Sequence, residues 1–341
     1  MPDMRDHHDT PGTRPGRGEE DMSEPTAVTR PPEPDWSAIT AEELIAYRDA
    51  ENRFRASSAA RAITGDPDPG AAIDWQEVTL PDRDLPVRVY RPAAGNHAGE
   101  AAPAELPLLL HVHGGSFVGT AVQCDWTNSH LAARLPAVVV SVEHRLLDAA
   151  TPLSAAADDG WDVLRHVVRH AAQWGIDPGR TAVLGESCGA LISALAAIRA
   201  RAADLRLKAQ VLVNPAVDVT EAMFDHASFA EYGYSRPQEM ALLRLFQRLA
   251  VPPGTDARPL SPLHAENLGG LAPALVVVPT RDAVADHGRR YAERLRAAGT
   301  SARMTEYPGA RHAFLTMPGV EPQAEAARAE ILEFLRAALA G

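Results

Sequence analysis

Gly185-Glu186-Ser187-Cys188-Gly189 decides the reading of this chain. It fits the pattern G-x-S-x-G, and its flanks give that pattern a mechanical meaning. Before it, Thr181-Ala182-Val183-Leu184 is a short apolar run that follows the turn signal Asp177-Pro178-Gly179 and reads as a buried strand. After it, Ala190-Leu191-Ile192-Ser193-Ala194-Leu195-Ala196-Ala197 is rich in helix formers. A serine on a tight strand-to-helix turn is held exposed at the end of a sheet, where the helix N-terminus favours developing negative charge. The five residues alone are a weak signal, because Gly and Ser are common in loops. The strand and helix on either side carry the weight.

A serine hydroxyl is a poor nucleophile at neutral pH. It needs a base, usually histidine, and a carboxylate to orient that base. In the α/β-hydrolases, which this strand, serine turn and helix resemble, the chain order is serine, then carboxylate, then histidine. Asp282 follows the apolar strand Ala274 to Val278, and His312 follows the strand Ala302 to Glu306 on the loop Pro308-Gly309-Ala310-Arg311-His312. Both fall at the sheet edge expected for Ser187. Asp282 also suits a cap for the helix starting near Ala285, and Asp286 is a rival carboxylate better placed for capping. His264 precedes Asp282 and breaks the order. His287 is too close to Asp282 in sequence to come from a different loop.

Acyl transfer also requires preorganised N–H donors for an oxyanion. His111-Val112-His113-Gly114-Gly115-Ser116-Phe117 follows the apolar strand Leu108 to Leu110. Gly114 and Gly115 are the expected donors, with the Cys188 N–H completing the set from the serine turn. His113 is expected to brace this loop rather than to act as base. Cys188 is expected to pack as a small residue, since a thiolate there would need a base of its own.

Outward from the site, Gln76 to Leu80 and Leu85 to Tyr90 form a hairpin signal across Pro81-Asp82-Arg83-Asp84. Strands at Leu108 to Val112, Ala137 to Val142, Thr181 to Leu184, Gln210 to Val213, Ala274 to Val278 and Ala302 to Glu306 then alternate with helices. Those helices are expected at Trp126 to Leu135, Leu153 to Trp174, Cys188 to Ala202, His287 to Ala298 and Pro322 to Ala340. The rhythm predicts an α/β fold: a mostly parallel central sheet with helices on both faces. Residues 1–35 are polar and rich in Pro and Gly, and are expected to be disordered. Residues 36–74 read as an N-terminal helical part of a cap, with Thr40-x-x-Glu43 as a capping box. Residues 75–217 and 259–341 supply the core. Residues 218–258 interrupt the rhythm and read as a cap insertion, with a helix over Glu239 to Leu249. Ser116, Phe117, Phe224 and Phe229 are expected to contact substrate, with Trp36, Tyr232 and Tyr234 lining the same pocket.

The formal net charge is −12 and no Lys/Arg-rich run stands out, which argues against nucleic acid and anionic membranes as partners. No apolar run is long enough to span a membrane, and the N-terminus lacks the apolar segment of a secretory signal, so a cytoplasmic location is expected. Two cysteines, Cys124 and Cys188, are too few for a disulfide framework or a cysteine metal site, and no metal or cofactor is expected.

Together these segments make a family resemblance. From about residue 75 onward the chain resembles the hormone-sensitive-lipase-like, bacterial esterase branch of the α/β-hydrolases. The motifs are His113-Gly114-Gly115, Val142-Glu143-His144-Arg145-Leu146, Trp174-Gly175-Ile176-Asp177-Pro178, Gly185-Glu186-Ser187-Cys188-Gly189, Ser261-Pro262-Leu263, the Asp282 segment and His312-Ala313-Phe314. The resemblance implies an α/β-hydrolase fold with a helical cap, hydrolysis of short-chain carboxylic esters and no metal. Ser116 stands where the family has a third glycine. Glu186 and Cys188 replace the commoner Asp and Ala, and His144 replaces the usual Tyr. The expected partner is therefore a small acyl ester, processed by Ser187, Asp282 and His312; the oligomeric state is open, a homodimer included. The same triad would also run an amidase, an N-deacetylase or an acyltransferase. A non-catalytic receptor on this scaffold would be expected to have lost a triad residue.

Overall fold

The computed structural model describes residues 28–93 and 105–340. Eight strands form one sheet: β1 (Ala71–Thr79), β2 (Asp84–Pro92), β3 (Leu106–Val112), β4 (Val138–Val142), β5 (Ile176–Glu186), β6 (Ala209–Val213), β7 (Ala274–Arg281) and β8 (Ala302–Arg311). Their order is β1-β2-β4-β3-β5-β6-β7-β8. The β1/β2 and β2/β4 pairs are antiparallel and the remaining pairs are parallel. Residues alternate across the sheet as a pleat requires. Val138, Val140 and Val142 enter one apolar core while Val139 enters the other; Leu108 and Leu110 part from Leu109 in the same way.

The helices, in chain order, are α1 (Ala41–Ala56), α2 (Arg61–Thr64), α3 (Asp125–Arg134), α4 (Leu153–Arg169), α5 (Ala171–Trp174), α6 (Cys188–Ala202), α7 (Ala227–Tyr232), α8 (Glu239–Ala250), α9 (Ala285–Ala297) and α10 (Ala324–Leu339). Buried residues of α3 and α10 share one core, and those of α4, α6, α8 and α9 share the other. The sheet is thus covered on both faces, so its central strands read as continuous apolar runs. None of the described helices is long and apolar enough to cross a membrane.

Local signals explain the boundaries. Thr40 accepts the Glu43 N–H at 3.2 Å while Glu43 accepts the Thr40 N–H at 2.9 Å, so the capping box starts α1 as its sequence predicts. The helix expected from Leu153 to Trp174 is divided: α4 stops before His170, and the short α5 ends on Gly175 with φ +64°. The strand expected at Thr181 begins earlier, at Ile176. Ile176 and Asp177 pair with Leu106 and Pro107, and the Pro178-Gly179-Arg180 turn bulges out before pairing resumes at Thr181. Asp177 holds that turn by accepting the Gly179 N–H at 2.8 Å.

The disorder expected over residues 1–35 lies outside the described residues up to 27, and is corrected over 28–35. That segment is irregular but fastened. Arg30 donates to both oxygens of Glu51 at 3.1 and 3.0 Å, and Glu33 accepts the Trp36 indole N–H at 2.8 Å. Glu51 is buried in α1, and a buried carboxylate requires a cation; Arg30 and Arg55 supply it.

Candidate active site

The site lies at the C-terminal ends of the parallel strands, where open α/β sheets leave room for ligands. β5 ends at Glu186 and α6 begins at Cys188, so Ser187 is the single residue between strand and helix. Its backbone is at φ 53°, ψ −118°, a strained conformation for a residue with a side chain. The turn is held by the Ser187 N–H donating to Val213 O at 2.9 Å. Gly189 completes it: a Cβ at that position would collide with Val112 O and crowd His113 O. The serine turn and the loop after β3 therefore pack backbone against backbone.

Asp282 is the first residue past β7 and His312 the first past β8. His312 Nε2 lies 2.8 Å from Ser187 Oγ, and His312 Nδ1 lies 2.8 Å from Asp282 Oδ2. The other Asp282 oxygen accepts the Val284 N–H at 3.0 Å just ahead of α9. The carboxylate thus faces the histidine and closes a local turn, and it does not cap α9, whose N-cap residue is Val284. Burial pulls the His312 imidazole down, but the charge and hydrogen bond of Asp282 outweigh it, leaving His312 above the ordinary histidine value.

The rival groups lie elsewhere. Asp286 accepts the Ser228 N–H at 2.9 Å and the Arg289 guanidinium at 2.8 Å, so it caps α7. His264 pairs with Asp218 at 2.9 Å. His287 is buried in α9 against Met223 O, and burial pushes it down to about 4.

Gly115 sits at φ +88°, which turns the loop after β3 back towards Ser187. Among the described residues, the N–H groups of Gly114, Gly115 and Cys188 have no protein acceptor. Gly114 O is occupied instead: His113 Nδ1 lies 2.9 Å away and Gln123 Nε2 donates at 3.2 Å. The His113 ring stacks on His144 at 4.3 Å, and His144 Nε2 lies 3.3 Å from His113 O. Burial holds both imidazoles below their ordinary value, so this pair braces the loop as neutral rings. The Cys188 thiol is buried and pushed up to about 12 by desolvation, which keeps it a thiol and not a nucleophile.

A cavity of about 520 Å³ opens over Ser187 and His312. Ser116 and Phe117 line it, as do Trp36 and, from α8, Leu242, Leu243 and Phe246. Phe224 and Phe229 do not, which corrects the expectation placed on them. They pack edge-to-face on each other at 5.3 Å, and Phe229 is buried against His287. The physical reason is the anchoring of α7: Asp286 accepts the Ser228 N–H, and Ser228 Oγ donates to Ala283 O, which turns Phe229 into the α9 side. Tyr232 is also absent from the lining, and Tyr234 is largely exposed to solvent.

Several lining residues escape the sequence reading. Asn214, at the end of β6, reaches His312 Nε2 at 3.5 Å from a backbone at φ 36°. Glu51, Arg55 and Gln123 make one polar wall, with Arg55 donating to Gln123 at 2.6 Å. Only α8 carried a signal that could have found its members: the helical spacing of Leu242 and Phe246.

A family model described as alpha/beta hydrolase fold matches residues 109–316. The chain is an α/β-hydrolase. Its relatives agree with the hormone-sensitive-lipase-like esterase branch of this family. It is 32% identical over 296 residues to an ethyl acetate hydrolase of Pseudomonas putida, covering 84% of this chain and 89% of that one. It is 35% identical over 248 residues to the esterase LipI of Mycobacterium tuberculosis, covering 70% and 75%. Among solved structures, an ester-hydrolase from the metagenome of Lake Arreo superposes with a TM-score of 0.79 at 29% identity, covering 89% of this α/β-hydrolase and 92% of that chain.

Proposed function

We propose that this α/β-hydrolase is a serine carboxylic-ester hydrolase acting on short-chain acyl esters. The observation that carries the reading is the unbroken relay from Asp282 Oδ2 through His312 to Ser187 Oγ, 2.8 Å at each step, on the floor of a cavity. The esterases among its relatives support the same chemistry.

In this reading Ser187 attacks the acyl carbon as His312 Nε2 takes its proton. Asp282 holds the His312 Nδ1–H and stabilises the imidazolium. The carbonyl oxygen gains its charge facing the N–H groups of Gly114, Gly115 and Cys188. His312 then protonates the departing alcohol, leaving an acyl-Ser187. Water enters, gives a proton to His312 and attacks the acyl carbon; Ser187 leaves with that proton. Asn214 steadies the His312 ring. The segment from Trp36 through α1, which ends before β1 begins at Ala71, and α8 of the 218–258 insertion form the cap over this cavity, with Trp36 and Phe246 among its apolar contacts. The polar wall of Glu51, Arg55 and Gln123 offers nothing to a long alkyl tail, which favours small acyl groups.

The test is hydrolysis of p-nitrophenyl acetate and butyrate by wild type and Ser187→Ala. The variant should fold, with an unchanged thermal midpoint, and lose about 10⁴-fold or more in kcat. Wild-type turnover in a folded Ser187→Ala protein contradicts the reading.

A further inference from the structure

Behind the serine turn three side chains from separate elements converge: His111 of β3, Cys124 at the end of the helical turn Ala121–Cys124, and Glu186 at the end of β5. All three are buried, and one donor atom from each lies within 4.8 Å of the others. His111 Nε2 lies 3.8 Å from Glu186 Oε1, and the Cys124 thiol donates a long, weak hydrogen bond to the same oxygen at 3.8 Å. The polar demands of the group are poorly met by the protein. His111 Nε2 and Glu186 Oε2 are buried and have no hydrogen-bond partner. A buried carboxylate held by one weak thiol donor is costly, and His111 Nε2 at 3.8 Å is too far for an imidazole–carboxylate hydrogen bond to relieve it.

We propose that His111, Cys124 and Glu186 form a binding site for a borderline-soft divalent cation of the Zn²⁺ class. The donor set is one nitrogen, one sulfur and one oxygen, which suits Zn²⁺ and disfavours Mg²⁺ and Ca²⁺, whose preference is for oxygen alone. Ligand atoms of a tetrahedral Zn²⁺ site stand roughly 3.4 to 3.8 Å apart, given Zn–ligand bonds of about 2.0 to 2.3 Å. The two 3.8 Å separations from Glu186 Oε1 already reach that range, and the His111–Cys124 pair, within 4.8 Å, closes further as the ion binds. The charge also closes: Zn²⁺, the Cys124 thiolate and the Glu186 carboxylate sum to zero beside a neutral His111, which a dry interior tolerates. On binding, the Cys124 S–H bond breaks, the sulfur bonds the metal, and the proton leaves to solvent. The far ring nitrogen, His111 Nδ1, lies 2.7 Å from Ser141 Oγ. That contact orients the ring with Nε2 towards the group, as the outer partner of a metal-bound histidine does. Glu186 and Gln123, the neighbour of Cys124, line the substrate cavity and give the ion a way in.

Co²⁺ serves as the probe, added to the full chain after chelator treatment and with no substrate present, so the outcome is independent of the ester-hydrolase reading. The wild type should bind one equivalent with a thiolate-to-cobalt charge-transfer band that Zn²⁺ displaces and Mg²⁺ does not. Zn²⁺ should raise its thermal midpoint by mass action. Cys124→Ala and His111→Phe should each lose the band, and Cys188→Ser should keep it. A wild type without a band in excess Co²⁺ overturns the site. So does a band that survives in folded Cys124→Ala, which would move the thiolate to Cys188.

Discussion

Asp282 divides its two oxygens between a ring and a backbone, and the division gives each residue of the relay a separate signature. Oδ2 faces His312 while Oδ1 accepts the Val284 N–H. Asp282→Asn keeps the backbone bond but removes the charge, and its amide can hold the wrong tautomer of His312. A fall in kcat of about 10⁴-fold is expected, with little change in thermal midpoint. Asp286→Asn should leave kcat within a few-fold, because Asp286 caps α7. A larger loss in Asp286→Asn would transfer the role. The pH profile follows with a definite sign. His312 must be neutral to accept the Ser187 proton, and its affinity for a proton is raised by Asp282. kcat/KM should therefore rise with pH through a midpoint above the ordinary histidine value and fall away below it. In Asp282→Asn the residual activity should titrate at lower pH, because the cause of the shift is gone. An unmoved midpoint would separate the two residues.

At the scale of the element, the serine turn and the loop after β3 are one unit. Gly189 presses against Val112 O and His113 O, and the stacked rings of His113 and His144 hold the loop from the other side. Gly189→Ala should destabilise the protein by about 1 to 3 kcal/mol, seen as a lowered thermal midpoint, and should cost activity as the loop is driven from Ser187. A Gly189→Ala protein with wild-type midpoint and kcat would show that the two segments move independently. Elements of this kind were legible because their signals are local. The strand before Ser187, the helix after it and the capping box Thr40/Glu43 are each written in a few consecutive residues. The alternation that divides Val139 from Val138 and Val140 follows from the pleat alone. Direction was not legible. Phe224 and Phe229 sit in a break of the βα rhythm, and nothing in six residues of α7 says which way its ring faces. The answer lies in Asp286 and Ala283, more than fifty residues downstream. Arg30 and Glu33 were hidden for a different reason: their segment is polar, and only the buried carboxylate of Glu51 ties it down.

For the whole molecule the consequence is a covered sheet with a cavity of about 520 Å³ and mixed polarity. Added methylenes of an acyl chain contribute ~0.8 kcal/mol each only while they fit an apolar wall. With Glu51, Arg55 and Gln123 on one side, p-nitrophenyl esters should give their highest kcat/KM at about two to six acyl carbons and decline beyond. Phe246→Ala should move that optimum to longer chains, read from the same ester series. A wild-type optimum at fatty-acid length would refute the preference for short acyl groups. The central claim is that Ser187 alone, among the serines of this chain, is activated. It is tested most directly by treating the folded protein with a fluorophosphonate and locating the adduct by peptide mass spectrometry. One adduct on Ser187, abolished in Ser187→Ala and strongly slowed in His312→Ala, is the expected result. Labelling of another serine, or none on a protein that turns over esters, would contradict the account.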